Sequence, residues 1–143
     1  KATLPELFTQ EKLTTSTVLE ANYFSNAILL NDGQQHFTVK ALPWQAQLSP
    51  YKTGVVLDTG MNGLPHILLG GNFYDNNIQM GRYDADFGTI LSLNEHQQLT
   101  ASTINGLIIK GQIRHILPIT IKGKSCFILA RNNDSTMVIG FGK

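Results

Sequence analysis

The sequence has a single cysteine, Cys126, so no disulfide can form within the chain. Cys126 sits in an apolar run and reads as a small hydrophobe of the core, not a reactive thiol. Charge is scarce: 15% of the 143 residues are charged and the net charge is +1. No basic block stands out, which argues against a nucleic-acid partner. So few charges also argue against disorder. No apolar run approaches the ~20 residues of a spanning helix, so no membrane span is expected. The sequence has no G-x-S-x-G elbow, no Walker loop and no Rossmann fingerprint. His36, His66, His96 and His115 fall in separate segments, without the convergence that a zinc site requires. No cofactor is expected. The chain opens on Lys1 without a signal-peptide pattern, and is read as part of something longer.

What is present is mostly strand, in a length typical of one domain with a real core. Residues 1–24 are a helical lead-in. Thr3, Pro5 and Glu6 resemble a capped start, and the hydroxyl-rich run Thr14 to Thr17 limits the segment to one or two short helices. Residues 25–42 form a hairpin: apolar Ala27 to Leu30, the turn Asn31-Asp32-Gly33, then the alternating run His36 to Ala41. Leu42 to Pro50 carries two prolines, which prevent a central strand, and Trp44 is expected to pack beneath this crossing segment. Further strands are expected at 54–58, 67–69, 89–93, 99–103, 113–121, 126–130 and 137–141, with Ile104 to Lys110 irregular.

The strands recur. Leu30-Asn31 returns as Leu93-Asn94, and Phe37-Thr38 as Leu99-Thr100. Residues 54–57 and 67–72 return as 115–118 and 127–132. Four strands per repeat is the pattern of a propeller blade. The expected fold is therefore all-β, built of antiparallel β-propeller blades after a short helical segment. Residues 25–42 are the outer hairpin of one blade, 54–103 a full blade, and 113–143 a partial last blade.

Two stretches could carry chemistry. Asp58 to His66 has the outline of a calcium loop. Asp58, Asn62 and the turn glycine Gly63 are in place, but Gly60 and His66 stand where oxygen donors are needed. The loop is read as degenerate, without metal. The second stretch, LLGGNFYDNNIQMGRYDADFG, spans residues 68–88 and concentrates glycines, aromatics and aspartates around one arginine. A loop this long is either functional or specifically packed. The candidate binding residues are Asn72, Tyr74, Arg82, Tyr83, Asp84 and Asp86. Arg82 is expected to pair with a carboxylate, and at least one of Phe73, Tyr74 and Tyr83 to be largely buried. Asp84 and Asp86 lie too close in sequence for a glycosidase pair, and no catalytic residue is assigned.

GVVLDTGMNGLPHILLGGNFY resembles an FG-GAP/VCBS repeat, in which two strands flank a D-x-D-x-D-G-x-x-D loop. ALPWQAQLSP, LLGGNFYDNNIQMGRYDADFG, INGLIIKGQIRHI and ILARNND are similar to the C-terminal end of such propellers of the Bacteroidetes type. The similarity runs from about Leu19 to the last residue. The resemblance implies a β-propeller on a secreted or cell-surface protein, without enzyme activity, presenting a surface for a protein or glycan ligand. The alternative is the propeller portion of a larger extracellular hydrolase. Its unpaired edges would be completed by the remainder of a parent propeller or by a second copy of the chain.

Overall fold

The computed structural model describes residues 1–59, 64–96 and 98–141. The strands pair antiparallel throughout. Two short helices, α1 Leu4–Leu7 and α2 Gln10–Thr15, precede them. β1 Ala27–Asn31 and β2 Phe37–Ala41 form a hairpin. β3 Tyr51–Thr59, β4 Pro65–Gly71, β5 Thr89–Leu93 and β6 Leu99–Thr103 form a four-stranded meander. β7 Ile113–Ile121, β8 Lys124–Arg131 and β9 Met137–Gly140 form a three-stranded one. No described helix is long and apolar enough to cross a membrane.

The helices are local structures. The Thr3 backbone N–H donates to Glu6 Oε2 at 2.6 Å, the reach-back of a capping box. The Thr14 and Thr15 hydroxyls bond back to the Glu11 carbonyl at 3.0 and 2.9 Å, and α2 stops at Thr15. Neither helix buries a residue.

The core is made by the strands, in two layers on either side of β4. Side chains alternate across a strand, so Leu68 points to one face and Ile67 and Leu69 to the other. Leu68 joins Ile113, Ile116, Phe127, Leu129 and Ile139 of the three-stranded sheet, closed over by Ile109. Leu69 and Leu91 pack against Leu42, Ala46 and Ile28, which come from the first hairpin and its exit. Each fully buried leucine or isoleucine contributes about 1.5–3 kcal/mol. The sheets approach closely at Gly70, where a Cβ would lie 2.7 Å from Ile113 Cγ2.

The architecture repeats with a fixed step. β1 and β5, β2 and β6, and β3 and β7 begin and end 62 positions apart, as 27 is to 89, 37 to 99 and 51 to 113. Both outer hairpins keep one register: Ala27 faces Ala41 as Thr89 faces Thr103, and Asn31 faces Phe37 as Leu93 faces Leu99. Their turns are alike too. Asp32 N–H donates to the His36 carbonyl at 3.2 Å, and Asn94 N–H to that of Gln98 at 3.0 Å. Each turn is closed by an Asx bond, from Gln34 N–H to Asp32 Oδ1 at 2.7 Å and from His96 N–H to Asn94 Oδ1 at 3.0 Å. β3 and β7 are both irregular at their second residue, between Tyr51 and Thr53 and between Ile113 and His115.

Three expectations are corrected. The step matches Phe37 to Leu99 but sets Asn31, not Leu30, against Leu93. A one-residue slip would send every side chain to the wrong face. Gly54 likewise corresponds to Ile116, not His115, because Gly54 faces Leu69 and Ile116 faces Leu129. Trp44 is not packed beneath the crossing segment: it is 70% exposed. A 3-10 turn over Trp44–Gln47 places Ala46 inward instead, and small Ala46 suits the approach of β5 and β6.

Candidate functional site

The 72–88 loop is built from its ends inward. Asn72 leaves β4 with φ +73°, a conformation that asparagine tolerates better than most residues. Only 2% exposed, it satisfies its whole amide. Its Nδ2 donates to the Asp86 carbonyl at 2.8 Å and the Gly111 carbonyl at 3.0 Å. Its Oδ1 accepts from Asp86 N–H at 3.1 Å and from Ser49 Oγ at 2.8 Å. One side chain thus ties together the loop's return, the segment before β3 and the segment before β7. Phe73 and Tyr83 pair through their backbones at 2.8 and 3.0 Å, narrowing the loop to a neck.

Asp86 is 4% exposed. Tyr51 OH donates to Thr89 Oγ1 at 3.0 Å, and Thr89 Oγ1 donates to Asp86 Oδ1 at 2.7 Å. Burial raises the Asp86 carboxyl above its ordinary pKa, against the lowering effect of the Thr89 bond. Burial also pushes Tyr51 up to about 12, with the neighbouring Asp86 charge adding to the shift, so its hydroxyl remains a donor.

The other candidate residues reach the surface. The Arg82 guanidinium lies 5.0 Å from the centre of the Tyr74 ring. It makes no ion pair among the described residues, so the expected Arg82–carboxylate bond is replaced by a cation–π stack. Nor is any of the three aromatics largely buried: Phe73 and Tyr74 are half-buried and Tyr83 is exposed. The buried places are taken by Asn72, Asp86 and Gly88, whose small or hydrogen-bonded groups fit the neck. Asp84 is exposed and borders a shallow cleft with Tyr74, Phe87 and Lys110. Asp84 and Asp86 therefore face different surroundings despite their spacing.

Beside this loop lies a polar cleft of about 320 Å³, lined by Tyr74, Asp75, Arg82, Gln112, Asn132 and Asp134. Gln112, 1% exposed, forms its floor. Gln112 Nε2 donates to Asp75 Oδ2 at 3.3 Å, and Asn132 Nδ2 donates to Gln112 Oε1 at 3.0 Å. Arg114 reaches the same Asp75 oxygen at 3.1 Å. Arg131 pairs with Asp134 at 2.8 Å and donates to the Lys110 carbonyl at 3.1 Å. A second cleft of about 350 Å³ lies at the segment before β3, lined by Phe24, Asn26, Ser49, Phe73 and Tyr83.

Sequence reasoning missed the group around Asp75, because its members come from the loop, from β7 and its approach, and from the end of β8. The signal open to it was the repeat, which sets Asn132 at the position of Asn72. No grouping of metal-ligating side chains occurs among the described residues. The Asp58 side chain and Asn62, on which the degenerate calcium loop turns, lie outside the described residues.

No family model, curated protein or solved structure matches the chain.

Proposed function

We propose that the chain is a non-catalytic β-propeller segment of a secreted or cell-surface protein, of the FG-GAP/VCBS kind its sequence resembles. It presents a binding surface for protein or glycan at the strand ends that carry the 72–88 loop. The observation that carries this reading is the shared step and register of the successive sheets, with the four- and three-stranded sheets packed face to face around Leu68. Stacked, repeated antiparallel sheets are what a propeller is made of. The connections before β3 and β7 and the loops after β4 and β8 gather at one end, and two clefts open there. Loops held on a rigid scaffold are the usual place for recognition. The free edges of β1 and β9 are filled by the remainder of a parent propeller or by a second copy.

Amide chemical-shift mapping against a panel of oligosaccharides and peptides tests the surface. Ligand-induced shifts should cluster at residues 72–88, 111–112 and 132–134. Shifts confined to the opposite strand ends would overturn the assignment.

A further inference from the structure

We propose that the polar cleft between the 72–88 loop and the end of β8 binds an acidic saccharide, with Arg82 receiving the sugar carboxylate. The inference rests on reading this end of the sheets as a binding surface, and it names the ligand class.

The charge balance of the cleft singles out Arg82. Its two lining carboxylates are already matched, Asp75 by Arg114 at 3.1 Å and Asp134 by Arg131 at 2.8 Å. Arg82 has no carboxylate of its own among the described residues. One positive charge is left over. The contact with the Tyr74 ring, 5.0 Å from its centre, is not a hydrogen bond, so the guanidinium N–H groups stay available to grip a carboxylate with two parallel bonds.

The rest of the lining suits a sugar better than a peptide. Asp75, Gln112, Asn132, Asn133 and Asp134 offer amides and carboxylates, which donate and accept in fixed directions. Sugar hydroxyls do both and complement such a wall. A peptide side chain would need an apolar pocket as anchor, and Tyr74 is the one aromatic in the lining. The groups are also held before any ligand arrives. Buried Gln112 fixes Asn132 and Asp75 at once, and three donors converge on Asp75 Oδ2 without engaging Oδ1. Prior ordering reduces the entropy lost on binding. The volume, about 320 Å³, lies at the lower end of small-molecule sites, which run from ~300 to ~1,000 Å³.

Calorimetric titration of the chain with tri-galacturonate and with the neutral galactose trisaccharide tests this. The acid should bind at least about tenfold more tightly than the neutral sugar, and its binding should weaken with salt. Arg82→Met should lose about tenfold or more in affinity for the acid with an unchanged amide spectrum, and Arg82→Lys should recover only part. Equal affinity for both sugars, or full affinity retained in Arg82→Met, would overturn the acidic class while leaving the surface reading intact. Tighter binding of a short peptide with a free carboxylate would overturn the saccharide. If neither sugar binds but a panel ligand shifts Asp75 and Asn132, this proposal falls alone. If nothing shifts them, both readings fall.

Discussion

Asn72 and Asn132 occupy the same point in two successive sheets. Each donates its backbone N–H to the carbonyl just before the first strand of its own sheet, Asn72 to Pro50 at 3.1 Å and Asn132 to Gln112 at 2.8 Å. Their side chains then part. That of Asn72 turns into the interior and holds the long loop, while that of Asn132 stays in the cleft and leans on Gln112. One backbone device thus serves support in one sheet and lining in the next.

Asn72→Ala should be among the most damaging single changes. It would leave the Gly111 carbonyl and the Asp86 backbone N–H and carbonyl without their side-chain partner, and place a Cβ-only side chain at φ +73°. Each buried orphan costs about 1–3 kcal/mol. A loss of at least ~3 kcal/mol in urea unfolding is expected. A loss below ~1 kcal/mol would show that the loop does not depend on this residue.

Arg82→Ala should hardly affect folding. The side chain is exposed and its contact is the stack on Tyr74, worth roughly 0.5–1 kcal/mol at such a site. Thermal unfolding of the variant should fall within that margin of the parent. A larger loss would mean that Arg82 holds the loop through a bond to a carboxylate, as its sequence neighbours led us to expect.

Gly71→Ala should be worse than Gly70→Ala. A Cβ at Gly71 would lie 2.3 Å from the Pro50 carbonyl oxygen, a backbone atom with little room to retreat. At Gly70 it would meet Ile113 and Ile116 side chains at 2.7 and 2.9 Å, which can shift in part. Overpacking typically costs 1–3 kcal/mol, and Gly70→Ala should sit near ~2 kcal/mol. Matched denaturation curves give the order, and the reverse order would refute it.

Stability should depend on pH through Asp86. Its folded pKa is raised by burial, so the folded chain binds a proton that the unfolded chain has released. Its contribution is greatest below the ordinary carboxylate value, near ~4, and is lost as pH rises through the raised value. Exposed Asp32 and Glu6, whose pKa values are lowered by hydrogen bonds to backbone N–H groups, act in the opposite sense and are common to both proteins in the comparison. Wild type should therefore lose stability relative to Asp86→Asn between pH 4 and pH 7. A difference that stays constant over that range would show Asp86 to be unshifted.

The chain should associate. β1 and β9 each carry one free edge, and Leu29, Phe37 and Val39 of the first hairpin are exposed. Open edges recruit strands. Sedimentation should detect self-association that weakens when Val138, on β9, is changed to lysine. A single monomeric species at all concentrations, with slow amide exchange in both hairpin and β9, would contradict this.

Much of the strand layout could be read from the sequence. The turns Asn31-Asp32-Gly33 and Lys122-Gly123 announce their hairpins, because each demands backbone angles few residues accept. The 104–110 connection lacks strand, as its glycine spacing led us to expect. Register was less legible: two of the four repeat matches were one position out, since apolar runs such as Ile28-Leu29-Leu30 look alike when shifted. The loop was recognised, but its internal arrangement was not. Which of Asn72, Tyr74, Arg82 and Asp86 turn inward depends on Ser49, Tyr51 and Gly111, residues distant in sequence that give no local cue.

The fixed step between sheets says where length can change. β1 to β3 is reproduced by β5 to β7 without insertion, and the spacing first breaks after β3 and β7: Thr59 pairs with Pro65, but Ile121 pairs with Lys124. The next joint differs more, with residues 72–88 in one sheet and 132–136 in the other. These two joints are the places to splice foreign sequence. A peptide epitope or a second recognition loop grafted in place of residues 133–135 would sit at the end of a rigid hairpin. The ladder beneath it would keep its register, because exposed loop tips absorb insertions that strands do not.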